Sequence, residues 1–379
     1  MAQGFSLKDQ LFNASTLGDL AAEYSAALPD FDAQPFLAEV LAGLEGRELM
    51  ARLDWIADCV EKRLASDFPT MASQLEAAMP DRLDPTLRDD DFGRFIHAVP
   101  GILAVRHGLE THASRALDLL HEATQRFSME FYIRPFLDRW PEDTLARLSQ
   151  WATDENYHVR RLVSEGTRPK LPWAKKITLD PLVPLPFLTT LHADSTRFVT
   201  RSVANHLNDI AKFDGDLVVA TLRDWRTQGR QVSKELDWMT RHALRTLVKQ
   251  GHVGALELLG FHADAPAKVA SLVLAETRVP IGSALEISLT LATDAPHDVP
   301  VMVDYILRFH RPKGGAGEKV FKLKQTKLPK NGQVLLTKKH PLKGDATTFR
   351  LYPGPHTVAI QVNGRVLDEV AFELVPAIG

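Results

Sequence analysis

HVRRLVSEG (158–166), FVTRSVANH (198–206) and WMTRHALRT (238–246) decide how most of this chain folds. Placed one under another, they align Val159, Val199 and Met239, then Arg161, Arg201 and Arg241, then Val163, Val203 and Ala243, each column recurring every 40 residues. A period near 40 in a helical sequence is that of a two-helix repeat whose apolar face is buried only when the next copy stacks on it. Asp154 and Asp194 open two of the units. The spacing predicts a curved, all-α, HEAT-like repeat solenoid.

Toward the N-terminus the same texture continues. In FLAEVLAGLEGRELMARLDWIADCVEKRLASD (36–67), Leu41, Leu44, Leu49, Leu53, Ile56 and Val60 fall at helical spacing on one face. The breaks, at Asp84-Pro85, Pro141, Asp180-Pro181 and Asp194, are short and suit helix pairs rather than βαβ units. After Phe261 the pattern changes. HADAPAK reads as a linker, and beyond it come runs of Val, Ile, Leu, Thr and Phe at period two. Strands are expected near 269–275, 284–292, 299–309, 318–326, 333–339, 355–362 and 365–375, with Asn363-Gly364 as the hairpin turn between the last two. Seven short antiparallel strands predict an all-β immunoglobulin-like sandwich without its disulfide. The expected domains are therefore 1–262 and 268–379, and a length of 379 residues accommodates both.

Composition excludes several classes. With 45% hydrophobic and 25% charged residues, the chain is globular rather than collagen-like or disordered. No apolar run of membrane-spanning length occurs, and MAQGFSLKDQLFNAST lacks a basic n-region followed by an apolar stretch, so a cytoplasmic protein without a signal peptide is expected. Cys59 is the only cysteine, which removes internal disulfides and thiolate metal clusters. The histidines show no ligand spacing, so neither metal nor cofactor is expected. Nucleotide-loop, dinucleotide, zincin and α/β-hydrolase motifs are missing. The net charge of -3 hides an asymmetry: residues 1–100 carry -10, 101–267 carry +2 and 268–379 carry +5. The last three quarters of the chain are electrostatically free to meet a polyanion.

Chemistry concentrates in SEGTRPKLPW (164–173). Glu165 stands at the end of a helix that Gly166 is expected to terminate, where the macrodipole disfavours a carboxylate. It is either a functional acid or the ion-pair partner of Arg161 or Arg168. Trp173, on a proline-stiffened loop, offers an aromatic face beside it. One repeat later VANHLNDI places Asp209 at another helix end, either facing the same wall as Glu165 or simply solvated. Glu130 in RFSMEFYIRPF sits among Phe127, Phe131, Tyr132 and Ile133, and either pairs with Arg134 at i+4 or stays partly buried with a raised pKa. Arg160, Arg161, Arg201 and Arg241, with Lys170, Lys175, Lys176 and Arg197, make a phosphate-binding stripe, unless Arg161 and Arg201 individually pair with loop aspartates. In the β region Arg308, Arg311, Lys313, Lys319, Lys322, Lys324, Lys327 and Lys330 form a second basic group, for gripping a nucleic-acid backbone or for protecting an edge strand.

These words resemble a family. LKDQLFN (7–13), VRRLVSEGTRPKLPWA (159–174) and FVTRSVANHLNDIAK (198–212), followed by an immunoglobulin-like domain, are similar to the AlkC branch of the HEAT-like repeat DNA glycosylases, over essentially the whole chain. The resemblance implies a monofunctional glycosylase of base excision repair that removes N3-alkylated bases, chiefly 3-methyladenine and with 3-methylcytosine as a further lesion, from double-stranded DNA. It implies action without full base flipping, as a monomer. By the same resemblance Glu165 and Asp209 flank the sugar and position water, Glu130 is a third carboxylate, Trp173 contacts the lesion or its deoxyribose, and Arg160 and Arg161 hold phosphates. Arg201, Lys170, Lys322 and Lys324 complete the expected DNA contacts. The competing reading is a non-catalytic DNA- or protein-binding scaffold, since helical arrays are often binding surfaces. A glycosidase acting on sugars is a third, disfavoured by only 6 Trp and 5 Tyr.

Overall fold

The computed structural model describes residues 6–89, 91–311, 317–344 and 350–377. The chain divides into two compact units, Met1–Phe213 with Trp225–His242, and Asp214–Asp224 with Ala243–Gly379.

The first unit is helical. Its N-terminal part comprises α1 (Leu7–Leu11), α2 (Ala14–Ala27), α3 (Ala33–Ala42), α4 (Leu49–Glu61), α5 (Phe68–Ala77), α6 (Val99–Leu103) and α7 (Ala113–Thr124). There follow α8 (Arg134–Arg139), α9 (Pro141–Trp151), α10 (Tyr157–Gly166), α11 (Leu185–Leu191) and α12 (Arg197–Ile210). Two further helices are α13 (Gly215–Gln228), whose residues divide between the units, and α14 (Ser233–Ala243). The first two aligned words lie within α10 and α12, while the third begins in α14 and runs past that helix's end at Ala243. Local chemistry starts these helices where it should: Asn13 and Thr16 form a reciprocal capping box on α2, Asp67 accepts from Thr70 N–H on α5, and Asn156 accepts from His158 N–H on α10.

α10 is buried on every side except at Arg160. α12 is buried apart from Arg197, Arg201 and Asn205, a stripe at four-residue spacing. Asp209 continues that stripe yet is only 3% exposed, because groups from other segments cover it. Gly166 does not end α10 through a left-handed turn. It is the last helical residue, and a Cβ there would lie 2.4 Å from Ile133 Cγ2, so the glycine permits close packing.

Among the described residues, the second unit carries α15 (Arg245–Lys249), α16 (Val253–Leu258) and eight strands. β1 (Lys268–Leu274), β3 (Ala284–Ala292) and β6 (Gln333–Pro341) form a three-stranded sheet in the order β1-β3-β6. β2 (Arg278–Pro280), β4 (Val299–Phe309), β5 (Gly317–Leu328), β7 (Gly354–Val362) and β8 (Arg365–Val375) form a five-stranded sheet, in the order β2-β8-β7-β4-β5. Seven antiparallel strands were expected. The eighth is β2, three residues long and parallel to β8, too short for a period-two pattern to register. Val301, Val303, Tyr305 and Leu307 from β4 meet Ile287, Leu289 and Leu336 in the core between the sheets.

The outer face of β4 is not left to water. Met302 is buried by Leu256 and Phe261, with Val248 and Leu259 beside them. Asn363 and Gly364 take φ of 47° and 83° in the β7–β8 turn. Asn363 is itself buried, accepts from Met302 N–H at 2.8 Å and donates to the carbonyls of His262 and Pro300. A Cβ on Gly364 would lie 2.6 Å from the Gly251 carbonyl oxygen, so only glycine admits this approach.

Candidate active site

Glu130, Glu165 and Asp209 belong to one buried ion-pair network, although they come from a loop, from α10 and from α12. Arg168, just past the end of α10, supplies the central link. Its Nη1 donates to Glu165 Oε1 at 2.5 Å, and its Nε and Nη2 each lie 3.0 Å from Asp209 Oδ2. Arg161 makes the second link, with Nη1 at 3.0 Å from Glu130 Oε2 and Nη2 at 4.0 Å from Glu165 Oε2. Ser202 on α12 donates to Glu165 Oε2 at 2.5 Å, Ser128 donates to Glu130 at 2.8 Å, and Lys212 reaches Asp209 Oδ1 at 3.1 Å. Both pairings open to Glu165 in the sequence, with Arg161 and with Arg168, are therefore formed.

Burial by itself would push the Glu165 carboxyl up. Arg161, Arg168 and the Ser202 hydroxyl outweigh it and hold the group below the ordinary carboxylate value. The same carboxylates raise the Arg168 guanidinium against its own burial. A buried pair of this kind is little evidence for net stability, but deleting one partner strands the other at a cost of about 3–5 kcal/mol. His206, fully buried on α12, donates through Nδ1 to the Ser164 carbonyl, 3.0 Å away; burial, reinforced by Arg168, pushes its pKa down to about 3, so it is neutral.

Arg134 sets the loop that follows. One of the two alternatives open for Glu130 was an i+4 pair with this arginine, which instead donates to the carbonyls of Gly166, Arg168 and Lys175 at 2.9–3.1 Å. The i+4 geometry needs a helix, and α8 begins only at Arg134. The clamp fixes residues 166–175 at both ends. Trp173 lies between, 82% exposed, with a φ of 63° that a tryptophan adopts only when its surroundings impose it. It lines a cleft of about 540 Å³ with Phe131, Tyr132 and Ile177, a cleft that the three carboxylates do not line. The carboxylates thus converge with one another, while Trp173 opens onto the neighbouring cleft.

The basic residues divide. Arg160 has its donors engaged within the protein, Nε on Asp194 at 2.5 Å and Nη1 on the carbonyls of Asp154 and Glu155. Arg161 is 9% exposed and stacks 4.4 Å from the Phe198 ring centroid. Arg201 is half-buried, paired with Asp89 and near the rings of Phe92 and Phe198. Lys170 is exposed beside Phe213. Lys322 and Lys324 are exposed on β5, the edge strand of the five-stranded sheet. Lys313 lies outside the described residues. Sequence reasoning missed Ser128, Ser202 and the loop-holding task of Arg134. No helix of the described residues is long and apolar enough to cross a membrane, and among them no group of His, Cys, Asp and Glu is arranged to hold a metal.

Residues 268–376 match the family model described as "Uncharacterised protein YhaZ, C-terminal Ig-like domain". Over 376 residues the chain is 32% identical to the uncharacterized protein YhaZ of Bacillus subtilis (strain 168), covering 96% of this chain and 98% of that one. Among solved structures, the Pseudomonas fluorescens alkylpurine DNA glycosylase AlkC, bound to DNA containing an abasic site analog, is 33% identical. That alignment covers 98% of this chain and all of that one, with a TM-score of 0.83.

Proposed function

The chain belongs to the AlkC/YhaZ family, and from that premise we propose that it is a monofunctional DNA glycosylase that hydrolyses the N-glycosidic bond of N3-alkylated bases, chiefly 3-methyladenine and also 3-methylcytosine, in double-stranded DNA. The helical unit is proposed as a HEAT-like solenoid that carries the chemistry, the whole acting as a cytoplasmic monomer in base excision repair.

The observation that carries this reading is the convergence of Glu130, Glu165 and Asp209 in one network. An N3-alkylated adenine is cationic, so it departs with the bonding electron pair as a neutral base and needs no general acid. What needs stabilising is the oxocarbenium-like deoxyribose left behind, and fixed carboxylates serve that purpose. Water then adds at C1′ and loses its proton. Glu165 and Asp209 are assigned to the sugar and the attacking water, Glu130 to the same field, and Trp173 to the lesion or its deoxyribose. Phosphates fall to the cations with free reach, Lys170, Lys322 and Lys324, and to Arg201 once Asp89 yields. Arg160 and Arg161 act mainly inside the protein, where their donors are already engaged.

The test is release of methylated bases from methylated duplex DNA by wild type and by Glu165→Gln, with DNA binding measured alongside. Release of 3-methyladenine by wild type, and binding without release by the variant, is the expected result. Binding without release by both proteins would overturn it in favour of a DNA-binding scaffold.

A further inference from the structure

We propose that Arg168 is a positioning residue of the excision reaction, its forked guanidinium holding Glu165 and Asp209 at a fixed separation as two independent anions. This rests on the glycosylase reading above. Arg168 alone among the described residues bonds to both carboxylates, Nη1 to Glu165 and Nε with Nη2 to Asp209. Ser202 and Lys212 each reach one of them, and Arg161 is divided between Glu130 and Glu165. The guanidinium is fixed in turn. Its own carbonyl accepts from Arg134, and Thr167 beside it is tied through Oγ1 to Val163 O at 2.7 Å.

Two carboxylates gathered in a buried site without a cation between them tend to share a proton, and a proton-sharing pair presents one negative charge fewer to a developing cation. The other groups facing Glu165 do not replace Arg168. They are Arg161 on its own helix, Ser202 and the neutral His206 on α12, and Arg134 on α8, whose donors go to carbonyls. Lysine is a point charge and cannot span both partners, whereas the planar fork meets each along a separate edge.

The experiment is single-turnover release of 3-methyladenine from methylated duplex DNA between pH 5 and 9 by wild type, Arg168→Gln and Arg168→Lys, with DNA binding and thermal unfolding recorded for each. Wild type is expected to show a flat profile. Arg168→Gln is expected to be slower by about 10- to 100-fold at pH 6 and to recover about tenfold by pH 9 as Glu165 loses its proton. Arg168→Lys is expected between the two, with a shallower rise. Variants that bind DNA and are slower by the same factor at every pH would overturn the proposal, since loss of packing alone gives that outcome. Variants with wild-type rates would overturn it too. Failure of wild type itself to release base sinks the glycosylase reading and the proposal with it.

Discussion

Ser202 Oγ lies 2.5 Å from Glu165 Oε2, a hydrogen bond between helices whose residues are 37 positions apart. The hydroxyl also lies 2.9 Å from Ser164 Oγ, so it is fixed from both sides. It is one of the groups that keep Glu165 ionised despite burial.

Ser202→Ala removes this donor and leaves a small void. A charge-assisted hydrogen bond contributes about 1.5–3 kcal/mol, so excision should slow by roughly 10- to 100-fold. Affinity for undamaged DNA should not change. An unaltered single-turnover rate would show that Glu165 does not need the hydroxyl.

Trp173 makes the opposite combination of demands. Its side chain is 82% exposed and its backbone is left-handed, so truncation removes little packing. Trp173→Ala is expected to leave the thermal midpoint within about 2 °C of wild type, while Trp173→Gly raises stability by about 1 kcal/mol through relief of the positive φ. Both should lower excision at least tenfold if the ring meets the lesion. Calorimetry and base release on the same preparations separate the two effects.

Gly166 tests the packing beneath the site. Gly166→Ala puts a methyl group 2.4 Å from Ile133 Cγ2, and overpacking of this kind costs about 1–3 kcal/mol. In urea unfolding the midpoint should fall, and combination with Ile133→Ala should show non-additivity, the second change making room for the first. Strict additivity would mean that the two positions do not press on each other.

Asp304 on β4 supplies a pH test away from the site. Burial pushes its carboxyl up to about 6, against the attraction of Lys322 and Lys249. The folded state therefore binds a proton more tightly than the unfolded chain, so this residue's contribution is full at acid pH and lost as pH rises from about 4 through 6. Above that range the ionised, buried group costs about 2–3 kcal/mol. Asp304→Asn should thus be more stable than wild type at pH 8 and equal to it near pH 4. An advantage independent of pH would refute the titration.

What was legible in the sequence was what local spacing encodes. The period of 40 showed in Val159, Val199 and Met239 because equivalent helices bury equivalent positions. The Asn363-Gly364 turn showed because its positive φ values select those residues. Glu165 stood out because a carboxylate at a helix end breaks a local rule. Its partners were less legible: Arg168, three residues on, was one of two choices, and Ser202 is an ordinary serine until α12 lies against α10. Of the two alternatives open for Glu130, the i+4 pair with Arg134 does not form, because no helix runs between them. α10 does end at Gly166, but the reason for a glycine there is the isoleucine passing over it, which a sequence does not display.

The burial of Met302 by Leu256 and Phe261, with Asn363 bonded to the His262 carbonyl, means that the sandwich does not end where its strands begin. The match to the YhaZ C-terminal model starts at residue 268, yet a protein cut there would expose Met302 and remove one of the two carbonyls to which the Asn363 amide donates, leaving that of Pro300. Any transplantation of these sheets into another protein, by recombination or by hand, must carry the stretch from Ala243 onward as part of the cargo, because the segment that reads as helix and linker serves as the sheet's outer lining.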